Sequence, residues 1–222
     1  MNAHVIGNIG ELQLGNFASV IDDLGFSVSI HAREDGLSTR LMNDADLVFN
    51  LGSSWSLVCS EVQSASQDEA EIIREFTQRG VPLIGICFGA QLLSHAFGGT
   101  VSTNSKPEIG WTRVESDNPL LGLDGEWMQW HYDGFSCPVG GEVLATNFMG
   151  VQAIVVGRSL GVQFHPEANE EVVSAWVLSG GSRELEILGV SVEQLMIETM
   201  SQSENSLGRC SRLVRSYLEN FI

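Results

Sequence analysis

An apolar segment, Val81-Pro82-Leu83-Ile84-Gly85-Ile86, passes without a linker into Cys87 and then into a helical stretch opening Phe88-Gly89-Ala90-Gln91. Few architectures permit that junction. A strand apolar on both faces must be covered on both sides, as in a parallel sheet sandwiched between helices. A side chain at so sharp a strand-to-helix turn is presented outward, and neighbouring backbone N–H groups point at whatever lies above it. The helix N-terminus also favours a thiolate, and Gly85 and Gly89 relieve crowding where Cβ atoms would clash. Spacing alone leaves a second reading open, a core cysteine at a strand end, because free cysteine is among the most buried residue types.

The rest of the chain fits the same frame. His4 to Gly7 reads as a first strand, followed by a glycine-rich loop from Asn8 to Gly15. Phe17, Val20, Ile21 and Leu24 recur at helical spacing, with Gly25 placed to end that helix. Phe26 to Ile30 and Leu47 to Leu51 read as strands, and Ser66-Gln67-Asp68-Glu69 reads as a capping box opening a helix that Gly80 closes. Val101 to Leu160 changes character. Trp127 to Trp130, Gly141 to Ala145 and Val151 to Val156 read as strands of a mixed or antiparallel section. Gly161 to Phe164 forms the next strand, and Glu170 to Leu178 a helix. Val190 to Met200 and Ser206 to Ile222 read as two more helices. The expectation is an α/β fold: an open, mostly parallel twisted sheet with helices on both faces. It forms one domain over residues 1–222, with 182–222 as C-terminal helices packed on it, where Leu213, Val214, Tyr217, Leu218 and Phe221 close the core.

Charge narrows the function. Eleven Lys and Arg stand against 28 Asp and Glu, a net charge of −17. Such a surface excludes nucleic acid and anionic membranes as partners. The 43% hydrophobic content marks a folded chain of 222 residues rather than an acidic disordered one. The four cysteines, Cys59, Cys87, Cys137 and Cys210, form no C-x-x-C pair, so no metal is signalled. Gly7-Asn8-Ile9-Gly10 is not a dinucleotide fingerprint, so no organic cofactor is signalled. Met1-Asn2-Ala3-His4 has no basic region before an apolar run, and no stretch reaches membrane-spanning length. A cytoplasmic protein with reduced thiols is expected.

A thiolate nucleophile needs a base and a group to orient that base. Of five histidines, His4 and His31 sit at strand ends, and His95 stands about 12 Å along the helix from Cys87. His131 and His165 remain. His165 follows a strand and has Glu167 two residues on; His131 has Asp133 two residues on, among Trp127, Trp130 and Tyr132. The residues by themselves leave both pairs open.

Together these segments resemble the class I, triad-type glutamine amidotransferases. The family's Gly-x-Cys-x-Gly-x-Gln elbow stands as Gly85-Ile86-Cys87-Phe88-Gly89-Ala90-Gln91, and its His-Pro-Glu signature as His165-Pro166-Glu167, 78 residues after the cysteine. Weaker matches are Glu108-Ile109-Gly110-Trp111 and Trp130-His131-Tyr132-Asp133, which resemble the subgroup close to the glutaminase domain of GMP synthetase. The resemblance implies Cys87 as nucleophile, His165 as base and Glu167 as its orienting partner. It places Gln91, Trp55, His131 and Tyr132 at the substrate, with Trp111 as a further aromatic of the cleft wall. The implied substrate is glutamine or a γ-glutamyl compound, and an ammonia-accepting synthetase subunit is the implied partner. One departure stands out: the family's Gly-Gly-Pro turn is replaced by Gly52-Ser53-Ser54. The oxyanion donors implied are the backbone N–H groups of Phe88 and of Gly52 or Ser53. Two other functions stay open at this stage, a stand-alone hydrolase of γ-glutamyl peptides or amides and a catalytically silent regulatory relative.

Overall fold

The computed structural model describes residues 1–221; the side chains of Leu41, Gln63 and Phe221 lie outside the description, as does Ile222. The chain runs β1 (Asn2–Gly7), α1 (Asn16–Asp23), β2 (Ser27–Ala32), β3 (Leu47–Asn50), α2 (Gln63–Arg79), β4 (Leu83–Ile86) and α3 (Phe88–Ala96). A long hairpin follows, β5 (Val101–Val114) and β6 (Gly125–Phe135), then β7 (Glu142–Asn147), β8 (Gly150–Val156) and β9 (Ser159–Val162). Three helices complete it: α4 (Glu170–Trp176), α5 (Ser182–Leu188) and α6 (Val192–Phe221).

Seven strands form one sheet in the order β2-β1-β3-β4-β9-β8-β7, while β5 and β6 pair as a separate two-stranded sheet. The first five strands of that order are mutually parallel; β8 runs antiparallel to both β9 and β7. This is the mixed α/β architecture that the apolar strands predict. Alternation along each strand sorts side chains to the two faces. Val5, Leu47, Phe49, Ile84 and Ile86 pack with Phe17 and Ile21 of α1 and with Leu213, Val214 and Tyr217 of α6. Ile6, Val48 and Leu83 face the other way, against Ile73 and Phe76 of α2 and Leu92 and Leu93 of α3. Each such fully buried side chain stabilises the fold by about 1.5–3 kcal/mol relative to exposure. A third, smaller cluster of Met128, Val173, Val177, Leu185 and Leu195 joins the hairpin to α4, α5 and the start of α6.

Two local expectations are overturned. The capping box is not one: α2 begins at Gln63 with Val62 before it and no side-chain cap, so Ser66 lies inside the helix. A short 3₁₀ turn at Ser60–Val62 leads into the helix in its place. The two C-terminal helices are one helix of 30 residues, preceded by α5. The polar run Ser201–Asn205 lies largely on its solvent face, and no proline interrupts it. Among the described residues no helix is long and apolar enough to cross a membrane.

The packing of α6 reaches the strand that carries Cys87. The buried Tyr217 hydroxyl accepts from the N–H of Leu83, the first residue of β4, at 2.9 Å, and donates to backbone carbonyl oxygen of Leu83 or Arg158. Tyr217→Phe leaves that N–H without this acceptor. The expected loss is about 1–3 kcal/mol of stability, seen in urea titration as a lower midpoint with an unchanged slope.

Candidate active site

Cys87 sits where β4 ends and α3 begins. Among the described residues it alone combines a side chain with positive φ, at 50°. Such a conformation costs about 1–3 kcal/mol and persists only where the surroundings impose it. Here the Cys87 N–H donates to Val162 O at 2.8 Å, and its carbonyl accepts from Ala90 and Gln91 N–H, both at 3.0 Å. The two glycines permit the turn for a steric reason. A Cβ on Gly85 would lie 2.6 Å from Gly89 O, and one on Gly89 would collide with Asn50 O. β3, β4 and the start of α3 therefore meet backbone to backbone.

His165 follows β9. Its N–H donates to Met128 O at 2.9 Å, which holds the hairpin against the site. Its Nδ1 lies 2.6 Å from Glu167 Oε1, while its buried Nε2 has no hydrogen-bond partner among the described residues. The Trp176 ring packs edge-on at 4.7 Å. Burial alone lowers the pKa of this imidazole. The Glu167 carboxylate and the neighbouring Cys87 outweigh it and raise the pKa to about 10. Gly52 lies between the two candidates: a Cβ there would sit 3.1 Å from His165 Cε1 and 3.5 Å from Cys87 Cβ.

Cys87, His165 and Glu167 line one cavity of about 430 Å³. The predicted Gly52, Ser53, Trp55, Gln91, His131 and Tyr132 all line it too. Gln91 and His131 also make hydrogen bonds within the protein. Gln91 Nε2 donates within the protein, to Asp133 O and Gln163 Oε1. His131 has both ring nitrogens engaged, Nδ1 with Asp133 O at 2.9 Å and Nε2 with Glu108 Oε2 at 3.0 Å. These two buried residues brace the cleft wall from within. Tyr132 donates to Glu184 Oε1 at 2.5 Å; burial, and then that carboxylate, push its phenol up to about 12. Trp111 is absent from the lining and instead bonds Thr199 on α6 at 3.0 Å. His4 and His31 stack on each other across β1 and β2, outside the cavity.

Among the described residues the backbone N–H groups of Gly52, Ser53 and Phe88 make no hydrogen bond to a backbone carbonyl outside the helices and strands. The Ser53 hydroxyl acts locally, donating to Asn8 Oδ1 and accepting from Trp55 N–H.

Three supporting residues escape a reading of the sequence. Asn16, at the start of α1, donates from Nδ2 to Pro166 O and Ala168 O, and from its N–H to Glu167 O. It fixes the loop that carries His165 and Glu167. Arg33 and Glu69 form a buried ion pair at 3.0 Å beneath the Gly52 turn. No periodicity or local motif marks Asn16 or Arg33, and Glu69 reads locally as part of a capping box, because their partners are far away in sequence.

Comparison with known proteins places this geometry. The profile of the family described as glutamine amidotransferase class-I matches residues 59–179. A glutamine-hydrolyzing GMP synthase of Aeropyrum pernix is 36% identical over 156 residues, covering 64% of this chain and 29% of that protein. One from Thermus thermophilus is 42% identical over 96 residues, 40% of this chain and 19% of the relative. The chain thus matches less than a third of the length of these relatives. In fold, the crystal structure of a glutamine amidotransferase from Thermotoga maritima superposes with a TM-score of 0.89 over 99% of both chains, at 24% identity. A family profile that spans more than half of the sequence and includes the elbow and the His-Pro-Glu loop settles the membership: this chain belongs to the class I glutamine amidotransferases.

Proposed function

We propose that the protein hydrolyses the γ-carboxamide of glutamine through a cysteinyl thioester and passes the ammonia to a partner synthetase. The observation that carries this reading is the buried His165 beside Cys87, with Nδ1 held by Glu167 and Nε2 engaged by no other group among the described residues. His165 takes the thiol proton, and the thiolate attacks the γ-carbonyl carbon. The oxyanion is received by the N–H groups of Phe88 and of Gly52 or Ser53, aimed where charge develops. The imidazolium protonates the amide nitrogen of the intermediate, the C–N bond breaks, and ammonia leaves. Water, deprotonated by His165, then attacks the thioester and releases glutamate, and the proton returns to sulfur. Glu167 keeps Nδ1 protonated and stabilises the imidazolium without itself taking the proton. No step calls for a metal or cofactor.

A cavity of about 430 Å³ also favours a second reading. It falls in the range of sites for ligands larger than one amino acid. Hydrolysis of γ-glutamyl amides or peptides uses the same atoms with an amine as leaving group. The test is ammonia and glutamate release from glutamine beside a panel of γ-glutamyl peptides, with Cys87→Ala as control. Slow Cys87-dependent glutamine turnover supports a glutaminase that waits for its acceptor. Fast turnover of peptides with little on glutamine supports the self-contained hydrolase. Product formation by Cys87→Ala contradicts both.

Gly52 gives a sharper check. Its α-hydrogen faces the gap between His165 and Cys87, where a methyl group meets the imidazole at 3.1 Å. Gly52→Ala is expected to lower kcat about a hundredfold by displacing the imidazole, while the thermal midpoint stays close to that of the parent. Steady-state kinetics beside a melting curve reads both.

A further inference from the structure

We infer that Arg33, held by Glu69, is a positioning residue that aims the oxyanion donors of the Gly52 turn; the inference rests on the catalytic reading above. The guanidinium has five N–H donors, and all five are engaged. Nε donates to both Glu69 carboxylate oxygens at 3.1 and 3.0 Å. Nη1 donates to Asn8 Oδ1 at 2.8 Å and to Gly52 O at 3.3 Å. Nη2 donates to Asn50 Oδ1 at 2.6 Å and to Leu51 O at 2.8 Å.

The two carbonyl contacts matter most. Leu51 O and the N–H of Gly52 belong to one peptide unit; Gly52 O and the N–H of Ser53 belong to the next. Both units are trans, and in a trans peptide the C=O and N–H point in opposite directions. Drawing both carbonyls down onto Arg33 therefore turns both N–H groups away from it. Among the described residues, these N–H groups make no hydrogen bond to a backbone carbonyl. A cation on the carbonyl also polarises the peptide, which strengthens the N–H as a donor.

The same guanidinium carbon lies 5.0 Å from the ring centroid of Phe88, the residue that carries the other proposed donor. One buried group thus bonds the Gly52 turn and packs on the ring of Phe88. The Gly52-Ser53-Ser54 backbone is restricted by side-chain bonds, Arg33 on Leu51 O and Gly52 O and the Ser53 hydroxyl on Asn8 Oδ1. Glu69 makes a buried cation tolerable, since the side chains of the pair are only 1% and 2% exposed.

The test compares Arg33→Lys, which keeps charge but cannot fork, and Glu69→Gln with the parent chain. Two reactions of Cys87 are followed. Hydrolysis of γ-glutamyl-p-nitroanilide passes through an oxyanion; alkylation by iodoacetamide does not. The expected result for Arg33→Lys is a kcat about a hundredfold lower, with KM and the alkylation rate little changed. Glu69→Gln, which retains an acceptor, is expected to fall between it and the parent. An unchanged kcat overturns the inference, as does a parallel loss of kcat and alkylation in both variants. Backbone ¹⁵N relaxation of Gly52 and Ser53 decides the clamp without turnover. Order parameters near 0.85 in the parent that fall below about 0.6 in either variant support it, and unchanged values overturn it. If the parent chain shows no Cys87-dependent hydrolysis, the catalytic reading fails, and the relaxation result alone judges the clamp.

Discussion

Cys87→Ala is expected to lower kcat/KM for glutamine or γ-glutamyl amides by at least about 10⁴-fold, equivalent to about 5.5 kcal/mol of transition-state stabilisation. The reason is that the reaction has no alternative nucleophile at that point. The elbow forces Cys87 into a positive-φ conformation between two glycines, and the side chain lies beside His165. Removing sulfur leaves the bare site to orient water, and water would lack the short path to the imidazole. Stability is expected to change little or to rise, because the strain is imposed by the backbone around Cys87 and alanine is no bulkier. Kinetics with a chromogenic γ-glutamyl amide, read beside the thermal midpoint, checks both halves.

Glu167→Gln is the second large effect, expected at about 10²–10⁴-fold near neutral pH, together with a change in the pH profile. The sign follows from the forces on His165. Burial lowers its pKa, and the Glu167 charge is the largest opposing influence, so the balance in the parent stands at about 10. The imidazolium that protonates the leaving group is therefore present below that value and lost as pH rises through it. An alkaline limb near pH 10 is expected in the parent. With glutamine at 167 that charge is gone, the opposition to burial is left to Cys87, and the alkaline limb moves to lower pH. A variant with lower kcat but an unmoved limb would show that Glu167 orients the ring without setting its charge.

Much of the fold was legible because it rests on local patterns. The apolar strands Leu47–Asn50 and Leu83–Ile86 alternate their side chains between two helix layers and leave no polar face. Gly25 and Gly80 take the positive φ that helix ends need. The sharp strand-to-helix turn at Cys87 was legible for the same reason, since its glycines answer to close backbone contacts. The errors arose where a local pattern competed with tertiary contacts. Ser66 and Glu69 have capping-box spacing, yet Glu69 faces Arg33 and the helix starts earlier. The polar stretch after Met200 reads as a break but only marks the wet side of a long helix. The choice between His131 and His165 could not be made from spacing, because each has an acidic residue two positions on. In the fold the two differ: His131 has both nitrogens engaged inside the wall, whereas Nε2 of His165 has no partner among the described residues. Asn16 and Arg33 were invisible because each acts on a loop brought near only by the folded sheet.

The measurement that tests the central claim most directly is the intact mass of the protein quenched in acid during turnover of glutamine or a γ-glutamyl amide. The account predicts one glutamyl group per chain, mapped to Cys87 and absent from Cys87→Ala. Turnover without that adduct in the parent, together with product formation by Cys87→Ala, would contradict it.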